Sequence, residues 1–325
     1  MSLIKLKTRQ SWENRYLKSK QELISKPYSS TGIASKAASW IFKIIVLGFF
    51  ALLIIFPFYF MLTQSLTDKL WQTRQTTTIL FPIPFAEGGK WFHWDNYRAA
   101  LEQGYLQSLV FTLGITFFSI LIRLFFSITL GYALSLKNWK GKGAFFAFFL
   151  SLLILPEVAL LTGQYTVIVR MGWHSGALTI IALVIPFAAS IFFSYMYKNA
   201  FEAIPNSVKE SSMLDGASGF RYFFNIALPM VKSTTWTVAI LTAFASWNSY
   251  TWPALILAGS NSLWQPMNLW VFTTGKDPDT ELQILYTSIR MAATVLAILP
   301  MLIIYFIFRR RIMDAISRNG NATKG

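Results

Sequence analysis

IPNSVKESSMLDGASGFRYFFNIALP, residues 204–229, is a polar, punctuated segment between two apolar stretches of membrane-spanning length. Pro205 suits the first turn of a helix, where its missing N–H costs nothing, and that helix can run to about Leu214. Asp215-Gly216 then stops it, because glycine accepts the left-handed conformation that ends helices. A second helix can follow from about Ala217, with Pro229 limiting its extension into the next apolar stretch. Met213, Ala217, Phe220, Phe224 and Ala227 recur at spacings of 4, 3, 4 and 3, which predicts one apolar stripe. Ser211, Ser212, Gly216, Ala217, Ser218 and Gly219 are small enough to let a partner's backbone approach closely. Two readings compete: an amphipathic helix lying on a lipid leaflet, and a docking site for a soluble protein. Leaflet helices favour Lys and Arg on their polar face. Glu210 and Asp215 against Lys209 and Arg221 supply poor charge for that, so the composition favours docking.

The rest of the chain sets the context. Of 325 residues, 54% are hydrophobic and only 13% charged, against about a quarter charged in soluble domains. The apolar residues fall in blocks of about twenty, the length that crosses a bilayer. The pattern predicts an all-α polytopic membrane protein with six spans: Lys43–Leu62, Ser108–Leu136, Ala144–Val169, Leu178–Tyr197, Thr234–Ala258 and Ile284–Phe308. The net charge of +15 is distributed by membrane side, which makes nucleic acid an unnecessary partner. Lys and Arg crowd the cytosolic ends of membrane proteins. With a cytosolic N-terminus, the two tails and the loops 137–143 and 198–233 hold 20 basic residues, and the alternate loops hold six. Both termini and the 204–229 segment are therefore expected in the cytosol. The expected organisation is a basic tail (1–42), a transmembrane domain (43–308) containing the loop 198–233, and a second tail (309–325).

With no cysteine and only His93 and His174, disulfides, thiolate sites and histidine-based catalysis or metal binding are disfavoured. Residues 1–39 hold no apolar run of signal-peptide type, so the first span is expected to stay in the mature protein. The basic N-terminal tail suits anionic membrane lipids. The connection 63–107 carries Trp71, Trp91 and Trp94, which suit either the headgroup layer or an external partner.

Ionisable groups inside spans are costly and default to functional candidates. Arg123 and Glu157 each lie 14 residues from the 137–143 turn, or roughly 21 Å deep at 1.5 Å per residue. Their equal depth predicts a buried pair, structural or gating, with direct solute contact as the alternative. Ser246, Trp247, Asn248, Ser249, Tyr250 and Thr251 form a polar, aromatic cluster at comparable depth. Such a cluster suits a sugar, or hydrogen bonding between helices. Pro156, Pro186, Pro253 and Pro300 predict kinks, and Arg290 is expected to snorkel to the interface.

Glu210-Ser211-Ser212, Asp215-Gly216-Ala217 and then Phe223, Ile226, Leu228 and Pro229 resemble the EAA-x-x-DGA…F-x-x-I-x-LP signature of permeases in binding-protein-dependent ABC importers. Ser211 and Ser212 replace two alanines, and Ser233 stands where a second proline is common. Asp95-Asn96-Tyr97, the Trp247–Pro253 segment and the C-terminal Lys324-Gly325 extend the resemblance over about residues 95–325, closest to the maltose-system and glycerol-3-phosphate-system permeases. The resemblance implies a cytosolic coupling helix in a bacterial cell membrane protein. Glu210 would supply polar contact or cap the elbow, and Asp215-Gly216 would make the turn. Met213, Ala217 and Phe220 would pack against an ATPase or the root of the bundle. It also implies a second homologous permease, two ABC ATPase subunits carrying ATP-Mg, and an extracellular solute-binding protein. The chain has no phosphate-binding loop of its own, so no catalytic residue, metal or cofactor is expected on it. The implied function is ATP-driven import of a sugar or glycerol-phosphate-type solute, with Trp247, Asn248, Tyr250, Arg123 and Glu157 along the pathway. The alternative is a self-sufficient secondary transporter, a class marked by internal repeats and midplane ion sites; neither is evident here.

Overall fold

The computed structural model describes residues 12–17, 20, 33–69, 71, 80–84, 87–136, 139–258, 263–276 and 285–321, with backbone alone for 33–36, 157 and 310–321. Apart from an isolated bridge between Lys276 and Leu285, the regular structure among these residues is helical. In lipid the backbone must satisfy itself within each segment, and helices do so.

Two compact units divide at residues 59 and 60. The first contains a helical turn at residues 12–17 and most of helix α1 (Ile33–Ser65). This helix begins well before the expected Lys43 and carries Pro57 internally. In the second unit α2 (Asp95–Glu102) leads across the left-handed Gly104 into α3 (Tyr105–Ser135). Asn96 is buried and donates to the carbonyls of Ser65 and Thr67 at 2.9 and 2.8 Å, fixing the chain where the α1 helix ends. Then come α4 (Lys142–Ser151), α5 (Glu157–Arg170), α6 (Thr179–Val184) and α7 (Ile191–Glu202). The segment 206–230 holds α8 (Asn206–Leu214) and α9 (Gly219–Tyr222), the latter running on to Met230. Helices α10 (Lys232–Trp247), α11 (Thr251–Ile256), α12 (Met267–Thr273) and α13 (Thr287–Asn321) complete the chain.

Three helices are long and apolar enough to cross a membrane, ending at Ser65, Ser135 and Arg309. Three bent pairs raise the count to as many as six. The spans expected at 144–169 and 178–197, with kinks at Pro156 and Pro186, are interrupted, with bends of 100° and 57°. Pro156 and Pro186 sit at these interruptions, where a ring without an N–H opens the helical ladder. The expected span Thr234–Ala258 is likewise interrupted, between α10 and α11. Pro300, by contrast, lies inside an unbroken α13.

The most extensive packing joins α3 to α7, and Gly131 explains it. A Cβ built at Gly131 would collide with the Cβ of Tyr197 and stand 2.8 Å from the Ser194 carbonyl oxygen. Small residues let membrane helices approach this closely. A second packed layer uses the same device, with Ala292, Ala293 and Ala297 of α13 against Trp270 and Met267. Gly131→Val is expected to lower the apparent melting temperature of the detergent-solubilised protein, with a cost of about 1–3 kcal/mol or more. An unchanged melting curve would show that α3 and α7 are not in this contact.

Candidate functional site

Two regions gather the polar and exposed residues. The first is the elbow, residues 204–230. Pro205 caps α8 from outside, one position earlier than expected, with its backbone extended. At the other end Gly216 takes φ +74°. Its N–H bonds the Met213 carbonyl at 3.1 Å, and the Ala217 N–H bonds the Ser212 carbonyl at 2.9 Å. This pair of bonds satisfies carbonyls that a helix end leaves bare. Ser212 and Ala217, the residues joined by the longer loop, are both buried. Ser218 is extended and α9 starts at Gly219, slightly later than expected.

Pro229 does not end the second helix. The preceding turn, Phe223–Ala227, widens into a π-helix, which makes room for the proline ring against the carbonyl four residues back. The break falls at Val231, where the chain bends by 71° into α10. The predicted apolar stripe is split as well. Ala217 and Ala227 turn inward, whereas Met213, Phe220 and Phe224 are exposed. Leu214, absent from the predicted stripe, is 90% exposed and Phe220 84%. A leucine ending a helix just before Asp-Gly was the available signal. Glu210 lies at the rim of a cleft of about 790 Å³ beside Met213, Ala217 and Phe220, with Tyr132, Phe201 and Phe223 as its aromatic wall. Tyr132 meets Phe201 and Phe223 at ring-centroid distances of 5.2 and 4.6 Å.

The second region is a cavity of about 730 Å³ inside the bundle. Its wall is where the interrupted helices open: Leu153 and Val158 flank the first break, Phe187 and Ser190 the second, Asn248 and Tyr250 the third. Irregular backbone at membrane depth is tolerated where it lines a cavity or is buried in protein. Asn248 ends α10, its amide donating to the Phe244 carbonyl at 3.0 Å. Tyr250 has a non-helical backbone, and its ring packs on Phe272 at 4.6 Å. Ser119, Gln164 and Ser246 add polar groups; sequence reading missed Ser119 as a lone hydroxyl among apolar neighbours, and Gln164 although Thr162, Tyr165 and Thr166 beside it marked a polar stretch.

Arg123 also lines this cavity. Its Nε and Nη2 donate to the Phe187 carbonyl at 2.9 and 2.7 Å, and the guanidinium lies 5.8 Å from the Phe193 ring centre. That carbonyl lies where the helix stops, so Arg123 serves as its side-chain cap. The Glu157 side chain, its expected partner, lies outside the described residues. Trp247, expected on the pathway, is instead 4% exposed and absent from the cavity wall. Its carbonyl accepts from Asn268 at 3.2 Å, so it belongs to the packing. Arg290 does not simply snorkel; its Nη2 donates to the Phe272 carbonyl at 2.7 Å and so holds the end of α12.

Interrupted apolar helices around a polar cavity, together with an exposed helical elbow, fit a membrane transport component. The chain belongs to the family described as binding-protein-dependent transport system inner membrane component, which matches residues 123–318. It is a permease of the ABC importer class and a protein of bacterial membranes. A probable ABC transporter permease of Mycoplasma pneumoniae is 45% identical over 97% of this chain and 98% of its own length. A probable permease for starch degradation products from Thermoanaerobacterium thermosulfurigenes is 30% identical over 82% of this chain and 91% of its own. The fold matches a chain of a bacterial ABC transporter involved in importing the acidic polysaccharide alginate, with a TM-score of 0.69 at 20% identity, covering 88% of this chain and 99% of that one.

Arg123→Met keeps the apolar stem but removes the donors to the Phe187 carbonyl. A stability loss of about 1–3 kcal/mol is expected, the cost of leaving a buried polar group unpaired. Thermal unfolding in detergent reads it, and no loss would remove the capping role.

Proposed function

We propose that this chain is the translocation subunit of an ATP-driven importer for a sugar or glycerol-phosphate-type solute. It would cross the membrane six times with both termini in the cytosol, an orientation that the 20-to-6 distribution of basic residues supports. The elbow would dock on an ATPase subunit that holds ATP-Mg, and a second permease and an external solute-binding protein would complete the importer. The observation that carries this reading is the outward apolar face of the elbow. Met213 and Leu214 at the end of α8 are 69% and 90% exposed, and Phe220 in α9, across the 215–218 turn, is 84% exposed. Exposed apolar clusters of this kind mark interaction sites.

The solute is read from the cavity. Tyr250 and Phe187 offer aromatic surfaces, while Asn248, Gln164 and Ser246 offer amide and hydroxyl groups. Arg123 is committed in part to a backbone carbonyl. Such a wall suits a neutral sugar better than a phosphate, and the starch-product relative agrees in kind. In proteoliposomes containing the whole importer, a neutral oligosaccharide with its binding protein is expected to stimulate ATP hydrolysis, and glycerol phosphate is not. The reverse result would overturn the neutral-sugar assignment. Uptake by this chain alone, driven by an ion gradient, would overturn the importer reading.

Gly216 tests the elbow. A Cβ there meets nothing within 4 Å, so a substitution acts through backbone strain alone. Non-glycine residues pay roughly 1–2 kcal/mol for the left-handed conformation, β-branched ones more. Gly216→Val is expected to abolish solute-stimulated ATP hydrolysis with membrane insertion intact, and Gly216→Asn to retain most of it. Full stimulation in the valine variant would sink the docking role.

A further inference from the structure

Glu202 ends α7, three residues before Pro205 and the start of the elbow. Its carboxylate receives two lysines from different elements. Lys198 Nζ lies 2.7 Å from Oε2 and Lys142 Nζ 3.8 Å from Oε1. Lys142 opens α4 and also donates to the Leu136 carbonyl at the end of α3, at 2.9 Å. Lys198 lies 5.0 Å over the ring of Phe146 in α4, and that ring stacks on Tyr195 of α7 at 6.0 Å. Both lysine side chains are largely out of water, with 14% and 26% exposure. The Glu202 side chain itself is 41% exposed, so the carboxylate stands half in water, and removing it leaves two largely buried lysines without their shared counter-charge.

We propose that Glu202 is a positioning residue that ties the turn between α3 and α4 to the helix entering the elbow, so that the two move together during transport. The proposal rests on the importer reading above. Without the carboxylate, the elbow can shift while α4 and the cavity break that follows it lag behind. ATP is then hydrolysed with less solute moved.

The test uses the complete importer in proteoliposomes and measures solute transported per ATP hydrolysed. Glu202→Gln is expected to lower that ratio by about fivefold or more, the low end of the range for coupling between sites, with solute-stimulated hydrolysis retained. A purely structural contact would reduce the amount of assembled importer and leave the ratio unchanged. The chain contains no cysteine, so Lys142→Cys with Glu202→Cys can be joined by a short bis-methanethiosulfonate linker that reductant cleaves. The joined form is expected to regain most of the ratio and to lose it on reduction. A wild-type ratio in Glu202→Gln, or equal ratios before and after reduction, would overturn the proposal. Absence of solute-stimulated hydrolysis in the wild-type importer would overturn the importer reading instead.

Discussion

The contact at Gly131 is the constraint on which the rest depends. With no Cβ to hold them apart, α3 and α7 cross at backbone distance, and this fixes their relative register. Eight residues earlier on α3, about two turns, Arg123 is thereby brought to the Phe187 carbonyl just before α7 begins. On the other side, Tyr132 meets Phe201, and the Leu136 carbonyl meets Lys142. The cavity and the elbow root are thus two ends of one crossing. A larger residue at 131 would disturb both.

The second constraint is the debt left by each helix break. An interrupted helix exposes carbonyls that lipid cannot satisfy, and polar side chains answer them one by one. Arg123 answers Phe187, Trp252 Nε1 answers Ala182 at 3.0 Å, and Arg290 answers Phe272. Trp270 Nε1 bonds the Gln103 carbonyl at 2.8 Å, while the Gln103 side chain accepts from the Gly275 N–H. This explains why a chain so poor in charge retains arginines within its apolar stretches. Two of those arginines are backbone caps first, and any contact with solute is additional.

What the sequence made legible follows from locality. The Asp215-Gly216 stop was readable because a left-handed glycine is a single-residue property, and it stands at φ +74°. The polar run Ser246–Thr251 announced a departure from lipid-facing helix, and the break lies there. Direction was harder. Trp247 and Asn248 are neighbours, yet one faces the packing and the other the cavity, because the helix ends between them. The stripe from Met213 to Ala227 presumed one continuous helix. The turn at 215–218 and the π-helix after it rotate the second half, which separates the buried alanines from the exposed Met213 and Phe220. Arg123 was visible as a deep charge, but its carbonyl partner was not, because a backbone acceptor leaves no mark in composition.

Helix α7 gives these parts a mechanical relation. It begins at the Ser190 cap beside the cavity and ends at Glu202 beside the elbow, a rod of about 18 Å for its 12 residues. A hydrogen-bonded helix of that length transmits displacement along its axis with little loss, whereas the extended Pro205 joint and the broken 188–190 segment can absorb rotation. A push on the elbow therefore has two outlets, bending at 203–205 or moving α7 as a body. The buried cluster of Phe193, Tyr197, Phe201, Ile204 and Ala227 packs the elbow root against α7 and resists the first. Moving α7 as a body would carry Ser190, and with it one wall of the cavity, toward or away from Asn248 and Tyr250.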